Sequence, residues 1–156
     1  RQKRECSLMA SIIQGATTGL KYLVLTGELD FSVAQTYKIA LYTDAADLSP
    51  SSTDTVYSTT NEVVGAGYTA GGNDLVVAAP GFSFDPVAGW VSFGNTSWPS
   101  STFTARGAVI YRNTGGNGLQ YTVAILDFGS NVTVDNNTFN VTFPPDTATE
   151  ALIRFE

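Results

Sequence analysis

Apolar and polar side chains alternate along much of this chain with a period of two residues. The alternation is clear over 37–42 and 138–143, where aromatic and branched side chains occupy every second position. Because successive side chains of a β-strand point to opposite faces, this period predicts half-buried strands. A continuous apolar run over 75–79, ended by Pro80, predicts a strand buried on both faces. Shorter patterns predict further strands over 56–64, 90–93 and 151–155.

The strongest local pattern is a β-hairpin formed by 105–112 and 119–125. Apolar residues alternate along both segments, and Arg106 and Arg112 lie on the opposite face of the first. The loop between them, 113–118, reads Asn-Thr-Gly-Gly-Asn-Gly. Glycine and asparagine tolerate the positive φ that hairpin loops require, so the sequence predicts two adjacent antiparallel strands here.

Helix is expected only near the start of the chain. Leu8, Ile12 and Ile13 fall at helical spacing, whereas Gly15 and the threonines after it weaken any continuation. The pattern therefore predicts a short helix over about 7–14. Turn-rich composition predicts loops in three other segments, 44–55, 65–74 and 94–101.

About eight to ten short strands with turns at even spacing and little helix predict an all-β fold. We expect an antiparallel β-sandwich of the jelly-roll or immunoglobulin-like kind. The length of 156 residues fits one domain. We assign 31–156 to the sandwich and 1–30 to an N-terminal arm, extended or short-helical.

The composition describes a polar but weakly charged surface. Charged residues make up 14% of the chain, against roughly 25% in an ordinary soluble domain. The net charge of −6 argues against a nucleic-acid partner, because phosphate binding needs a basic surface. No window approaches the roughly 18 apolar residues of a membrane span, and the short apolar stretch over 8–13 does not make a signal peptide. We therefore expect neither nucleic acid nor membrane as partner.

No catalytic, cofactor or metal site is expected. Histidine is absent, which excludes Ser–His–Asp triads, Cys–His pairs and histidine-assisted zinc sites. Cys6 alone can form neither an internal disulfide nor a zinc cage. Paired carboxylates, as glycosidases use, stay an open alternative, although no spacing singles a pair out. The candidates are Glu28 with Asp30, Asp44 with Asp47, and Glu62 with Asp127.

Six residues are candidates for contact with a partner. The cluster Arg1, Lys3 and Arg4 predicts either a frayed terminus or a basic arm that docks on an acidic neighbour. Trp98 precedes Pro99 in a polar segment, which predicts a place at a surface or interface, whereas Trp90 lies in an apolar strand and is expected in the core. The candidate interface consists of Arg1, Lys3, Arg4, Ile12, Ile13 and Trp98.

Several segments together resemble a family of small structural proteins of tailed bacteriophages. They are 37–43 (YKIALYT), 45–48 (AADL), 55–63 (TVYSTTNEV), 65–72 (GAGYTAGG), 102–111 (TFTARGAVIY), 124–129 (AILDFG) and 151–154 (ALIR). The resemblance covers about residues 37–155 and includes no catalytic signature. It implies a component of the virion and supplies no site residues.

The resemblance and the composition together predict a capsid decoration or cement protein. Such a protein binds the major capsid protein or other virion subunits, and the symmetry of a shell favours a homo-oligomer. The alternative is a tail- or neck-associated adhesion protein with a carbohydrate- or receptor-binding surface. A small hydrolase that uses two carboxylates is the third hypothesis.

Overall fold

The computed structural model describes residues 11–31, 35–51, 55–84, 86–113 and 119–155. Over these residues the chain forms eight strands and one short helix, and the strands make two antiparallel sheets. The predicted all-β sandwich class is confirmed. In chain order the elements are β1 Gly15–Ala16, α1 Thr18–Leu25, β2 Tyr37–Tyr42, β3 Asn73–Leu75, β4 Gly81–Phe84, β5 Val87–Val91, β6 Thr96–Arg112, β7 Thr122–Val141 and β8 Ile153–Phe155.

The two sheets differ in size. The large sheet has the strand order β1-β7-β6-β2-β3, and the small sheet has the order β4-β5-β8. The centre of the large sheet is the long β6–β7 pair, which begins at Thr96↔Val141 and includes Val109↔Ile125. This pair confirms the predicted hairpin strands. Most of the predicted hairpin loop, 114–118, lies outside the described residues.

A β-bulge in the β6–β7 pair changes which side chains face the main core. The register shifts between Ala105 and Gly107. From Ala105↔Val132 to Gly107↔Asp127, β6 advances by two residues and β7 by five, so the bulge places three additional residues in β7. On β6 the positions that face the main core change from odd to even across it, and Ala105 shares the main core with Ala108 and Ile110. The opposite face beyond the bulge is also buried, in a second cluster that includes Val109.

Strand β2 is likewise buried on both faces. The prediction of a strand at 37–42 is confirmed, but the predicted half-burial was wrong. Tyr37, Ile39 and Leu41 face the main core, and Ala40 and Tyr42 face the second cluster. A strand paired on both sides, as β2 is with β3 and β6, takes the central place in which both faces can be covered.

Several element boundaries differ from the predictions. The segment 94–101, predicted as a loop, contains the start of β6, because Thr96 and the residues after it pair with the end of β7. The predicted buried strand over 75–79 is wrong, since β3 ends at Leu75 and Val76 is 75% exposed. The segment 56–64 contributes only isolated bridges at Val56 and Glu62. The predicted closing strand is confirmed as β8.

The helix lies later than predicted, at Thr18–Leu25, and among the described residues of 7–14 there is no helix. The physical reason is a cap, since the Thr17 hydroxyl accepts a hydrogen bond from the Leu20 N–H at 3.2 Å. Gly19 brings the helix against β7, because a Cβ there would lie 2.5 Å from the Thr122 carbonyl oxygen. No helix within the described ranges is long and apolar enough to cross a bilayer.

Candidate functional site

The carboxylates considered for acid–base chemistry have partners within the fold. Glu28 Oε2 lies 3.1 Å from Nη2 of Arg112, which is almost fully buried. Asp127 forms an ion pair with Arg106 across the β6–β7 pair. No group of three or more metal-ligating side chains occurs among the described residues. These contacts give Glu28 and Asp127 structural roles.

Glu62 is a buried carboxylate held by donors that carry no formal charge. Its side chain is in a residue only 7% exposed. Oε2 accepts a hydrogen bond from Tyr57 Oη at 2.6 Å, and Oε1 accepts bonds from Tyr68 Oη at 2.6 Å and from the Gly71 N–H at 2.7 Å. Hydrogen bonds to an ionised acceptor are shorter and stronger than neutral ones, so this arrangement compensates the cost of burying the charge.

The tyrosines around Glu62 are kept in their neutral form. Burial raises the pKa of Tyr57 and of Tyr68, and the hydrogen bond to Glu62 raises each pKa further. Burial, with the nearby Glu62 charge, raises the pKa of Tyr111 to about 12. The Tyr57 and Tyr111 rings stack with centroids 4.3 Å apart, and Tyr111 Oη donates to the Gly71 carbonyl at 2.7 Å.

The tyrosine cluster of Tyr57, Tyr68 and Tyr111 around Glu62 anchors the long connection between β2 and β3 on the large sheet. Glu62, Tyr57 and Gly71 belong to this connection, whereas Tyr111 belongs to β6. A general base must reach a proton on its substrate, but both oxygens of Glu62 already accept bonds from the chain itself. The geometry therefore favours a structural role for Glu62.

A pocket of about 330 Å³ lies beside this cluster. Its wall includes Tyr42 and Tyr57, and Asp47, Thr60 and Asn61 contribute exposed polar groups. A concave site with aromatic walls and a few polar groups is the kind of surface that binds small polar ligands such as sugars.

Several exposed apolar side chains lie together on one face of the small sheet. Phe82 is 73% exposed, Phe84 82%, Val87 71% and Phe155 53%. We call these four residues, together with Gly89, the phenylalanine face. Contiguous exposed apolar surface of this kind marks interaction sites more often than isolated exposed residues do.

The strand register places these residues in two rows. Phe82 pairs with Gly89, and Gly89 pairs with Phe155, so the three lie side by side across β4, β5 and β8. Phe84 pairs with Val87 in the next row. The Phe82 and Phe84 rings meet edge to face with centroids 5.6 Å apart. A Cβ at Gly89 would meet nothing within 4 Å, so an open notch separates Phe82 from Phe155.

The same face of the small sheet continues into the main core. Val91 pairs with Ile153 on this face, and both residues are buried. Ile153 and Phe155 are two positions apart on β8. Ile153 is buried in the main core, whereas Phe155 is 53% exposed. The apolar face of the small sheet is thus longer than the part of it that the large sheet covers.

A shallow groove of about 370 Å³ extends the exposed apolar surface towards the helix. Phe155 forms one wall and α1 the other, where Leu25 is 86% exposed. The groove is lined by Ala16, Leu20, Lys21, Val24, Leu25 and Phe155. Because Phe155 belongs to both, the groove and the phenylalanine face form one continuous surface.

Two residues of the predicted interface are buried within the protein, so their predicted exposure was wrong. Trp98 is 3% exposed, because β6 extends to it and its ring packs against Phe139, its partner on β7, and against Tyr68. Ile12 is 6% exposed, because it forms a bridge with Leu48 and packs in the second cluster.

The other predicted interface residues differ in what the structure describes of them. Ile13 is 52% exposed, so it is accessible to a partner. Arg1, Lys3 and Arg4 lie outside the described residues. The described part of the predicted arm packs against the sheet, since β1 pairs with β7 and Leu20 lies in the main core. Trp90, expected in the core, is partly buried, and its ring lies over Gly81.

Sequence reasoning missed Phe82 and Phe84. The signal was present in 80–86 (PGFSFDP), where two phenylalanines alternate with small residues between two prolines. That pattern predicts a short strand with one apolar face. It cannot say whether the face is covered, because the cover comes from residues distant in the sequence.

Comparison with known proteins gives no relative. No family model, no curated protein and no solved structure matches this chain. The surfaces of the fold are therefore the main indication of function, and the resemblance to phage structural proteins stays a hypothesis.

Proposed function

We propose that this chain is a non-catalytic structural protein of a tailed-bacteriophage particle, where it binds neighbouring protein subunits as a capsid decoration or cement protein. The observation that carries the binding role is the phenylalanine face with its adjoining groove. The phage setting depends on the sequence resemblance alone. A protein of low charge that exposes a contiguous apolar surface is suited to contact other proteins.

The exposed area is large enough to form the centre of a specific contact. A buried phenylalanine removes 150–250 Å² from water, so Phe82, Phe84 and Phe155 together expose roughly 400 Å². At about 25 cal/mol per Å², covering them contributes on the order of 10 kcal/mol before the costs of association. The largest apolar patch of a typical monomer is about 300–600 Å² and is often functional.

The test is to measure this chain in purified particles of the virus that encodes it. Quantitative mass spectrometry gives its copy number relative to the major capsid protein. We expect a copy number of the same order as that of the capsid subunit. A copy number suited to a single ring places it at the neck or tail instead, and absence from purified particles contradicts the proposal.

A pair of variants connects particle incorporation with the apolar surface. The double variant Phe82→Ser, Phe84→Ser removes two exposed aromatic rings, and we expect it to be incorporated at least about tenfold less than the wild type, because much of the contact area is lost. Val64→Ser is the control, since Val64 is an exposed apolar residue (93%) outside the phenylalanine face, in the connection between β2 and β3. Equal incorporation of both variants excludes the phenylalanine face as the attachment surface.

The pocket beside Tyr57 supports a second candidate function, a sugar-binding adhesion protein of the tail or neck. Its aromatic wall and polar rim supply the two kinds of contact that sugars need. A glycan array with the purified chain tests this function. Binding to a defined sugar that Asp47→Ala and Thr60→Ala abolish supports it, and no sugar binding at any concentration tested rejects it.

A further inference from the structure

We propose that the partner seated on the phenylalanine face is a second copy of this chain, bound in a two-fold symmetric pair. This inference rests on the proposed function, because it names the subunit that the apolar surface binds first. In a symmetric pair the same patch is used by both copies, so the patch must be complementary to itself. The phenylalanine face has that property, since it carries both projecting rings and a gap that fits a ring.

The gap at Gly89 has the width of one aromatic side chain. Neighbouring strands lie about 4.8 Å apart, so Phe82 on β4 and Phe155 on β8, with β5 between them, have backbones roughly 9.6 Å apart. A ring inserted over Gly89 lies about 4.8 Å from each neighbour. That distance is within the range of roughly 4.5–7 Å in which aromatic pairs attract one another.

Face-to-face packing lets two copies fill their gaps reciprocally. Packed sheets lie about 10 Å apart, which is the space that one layer of interdigitating side chains fills. A phenylalanine of one copy then occupies the notch of the other, and the two-fold axis repeats the contact. The two-fold pair closes at two copies and leaves no free phenylalanine face from which a filament could grow.

The available area is close to that of a stable dimer. The exposed phenylalanines supply roughly half of the about 800 Å² that each partner contributes to a standard interface. Val87 on the face and Val24 and Leu25 on the adjoining groove extend the apolar area further. A second copy that covers the face and the near wall of the groove therefore buries enough surface for specific association.

The charge of the molecule distinguishes a second copy from an oppositely charged partner. None of the five residues of the phenylalanine face is charged, while each copy carries a net charge of −6. Two copies repel at long range, and salt screens that repulsion, with a Debye length of about 10 Å at 0.1 M. Self-association through this face should therefore strengthen with salt, whereas binding to a basic partner would weaken.

Analytical ultracentrifugation of the full chain tests the proposal over a concentration range of about 1–200 μM, at low and high salt. We expect a reversible monomer–dimer equilibrium that shifts towards dimer at high salt. Gly89→Val should raise the dissociation constant at least about tenfold, because its side chain fills the notch, at a position where a Cβ meets nothing within 4 Å. Val64→Ser, outside the face, should leave the dissociation constant unchanged.

The fold of each variant is checked separately, by circular dichroism and by the urea midpoint of dilute, monomeric protein. If Gly89→Val loses its fold, Phe155→Ser replaces it as the variant that opens one side of the notch. A chain that is monomeric throughout, a dimer that both substitutions leave intact, or a dimer that salt dissociates overturns the proposal. A monomer that is nevertheless incorporated into particles rejects only the second copy as partner, and a dimer never found in particles rejects only the proposed function.

Discussion

Glu62 is a buried carboxylate whose hydrogen-bond donors all come from the chain itself. Its two oxygens accept three hydrogen bonds, from Tyr57, Tyr68 and the Gly71 N–H, and no cationic side chain is among these donors. Losing one of these donors would leave part of a buried carboxylate unsatisfied, which is costly. The cluster therefore links the connection between β2 and β3 to one side chain.

Replacing that carboxylate should measure the strength of the cluster. In Glu62→Gln the charge is lost and an amide NH₂ faces at least one donor, so we expect the free energy of unfolding to fall by about 2–3 kcal/mol. Glu150→Gln is the matched control, because Glu150 is exposed and its substitution should change stability by less than about 0.5 kcal/mol. Urea unfolding at neutral pH provides both values. Equal stabilities of the two variants would show that the bonds to Glu62 contribute nothing net.

The buried tyrosines predict a loss of stability at alkaline pH. The pKa of Tyr111 is raised to about 12, against about 10 in the unfolded chain, so the unfolded state loses its proton first. This contribution is fully present below pH 10 and is lost as the pH rises from about 10 through 12, at up to about 1.4 kcal/mol per pH unit for each such tyrosine. Urea midpoints measured between pH 8 and about 11.5 should fall only at the alkaline end. In Tyr111→Phe the fall should be shallower, and an unchanged slope would contradict this assignment.

At the scale of elements, the β6–β7 pair determines most of the architecture. Across the bulge between Ala105 and Gly107, which is one of four register shifts in this pair, the core-facing positions of β6 change from odd to even, so residues on both sides of it reach the main core. The bulge also brings the backbone close to other groups. A Cβ at Gly107 would lie 2.6 Å from the Leu126 carbonyl oxygen and 2.9 Å from Cδ1 of Ile12.

Two glycine-to-alanine substitutions in strands distinguish the cost of a steric contact from the general effect of replacing glycine in a strand. Gly107→Ala should lower the free energy of unfolding by about 1–3 kcal/mol, because backbone and a buried side chain must shift to admit the methyl group. Gly89→Ala makes the same chemical change where nothing lies within 4 Å, and we expect it to be neutral or to stabilise by up to about 1 kcal/mol. Both are measured by chemical denaturation of dilute protein, so that self-association does not contribute. A Gly107→Ala variant as stable as Gly89→Ala would mean that the bulge accommodates a side chain freely.

The sequence could predict strands whose alternation is local but not the choice of face. The patterns at 37–42 and in the β6 and β7 segments around Val109 and Ile125 identify strands, because the period of two is a property of neighbouring residues. The bulge after Ala105 is not visible in that period, and neither is the second cluster that covers the other face of β2 and β6. Trp98 was placed at the surface for a related reason, since its cover is Phe139, 41 positions further along the chain.

At the scale of the whole molecule, one core connects the two sheets. Val91 and Ile153 of the small sheet belong to the same buried cluster as Trp98 and Phe103 of the large sheet. Phe93, just beyond β5, packs against Tyr37 of β2 with centroids 5.7 Å apart. The exposed phenylalanine face is the continuation of this shared core beyond the edge of the large sheet, which is a consequence of packing that no local sequence pattern contains.

A shared core predicts that the two sheets unfold together. The two tryptophans report on them separately, since Trp90 lies in β5 of the small sheet and Trp98 in β6 of the large sheet. In Trp98→Phe the fluorescence follows the small sheet, and in Trp90→Phe it follows the large sheet. We expect the fluorescence and far-ultraviolet circular dichroism midpoints to coincide within each variant, as they do for a two-state domain.

Comparing the two signals within one variant removes the stability cost of the substitution itself, because both signals come from the same molecules. The result also bears on the phenylalanine face. If the small sheet unfolded at a lower urea concentration than the large sheet, its own contacts would be too weak to keep it folded. A partner on the phenylalanine face would then be needed to stabilise it. Coincident midpoints mean instead that the shared core alone keeps β4, β5 and β8 in place, so that the phenylalanine face is presented to its partner already formed and binding does not have to offset the cost of ordering it.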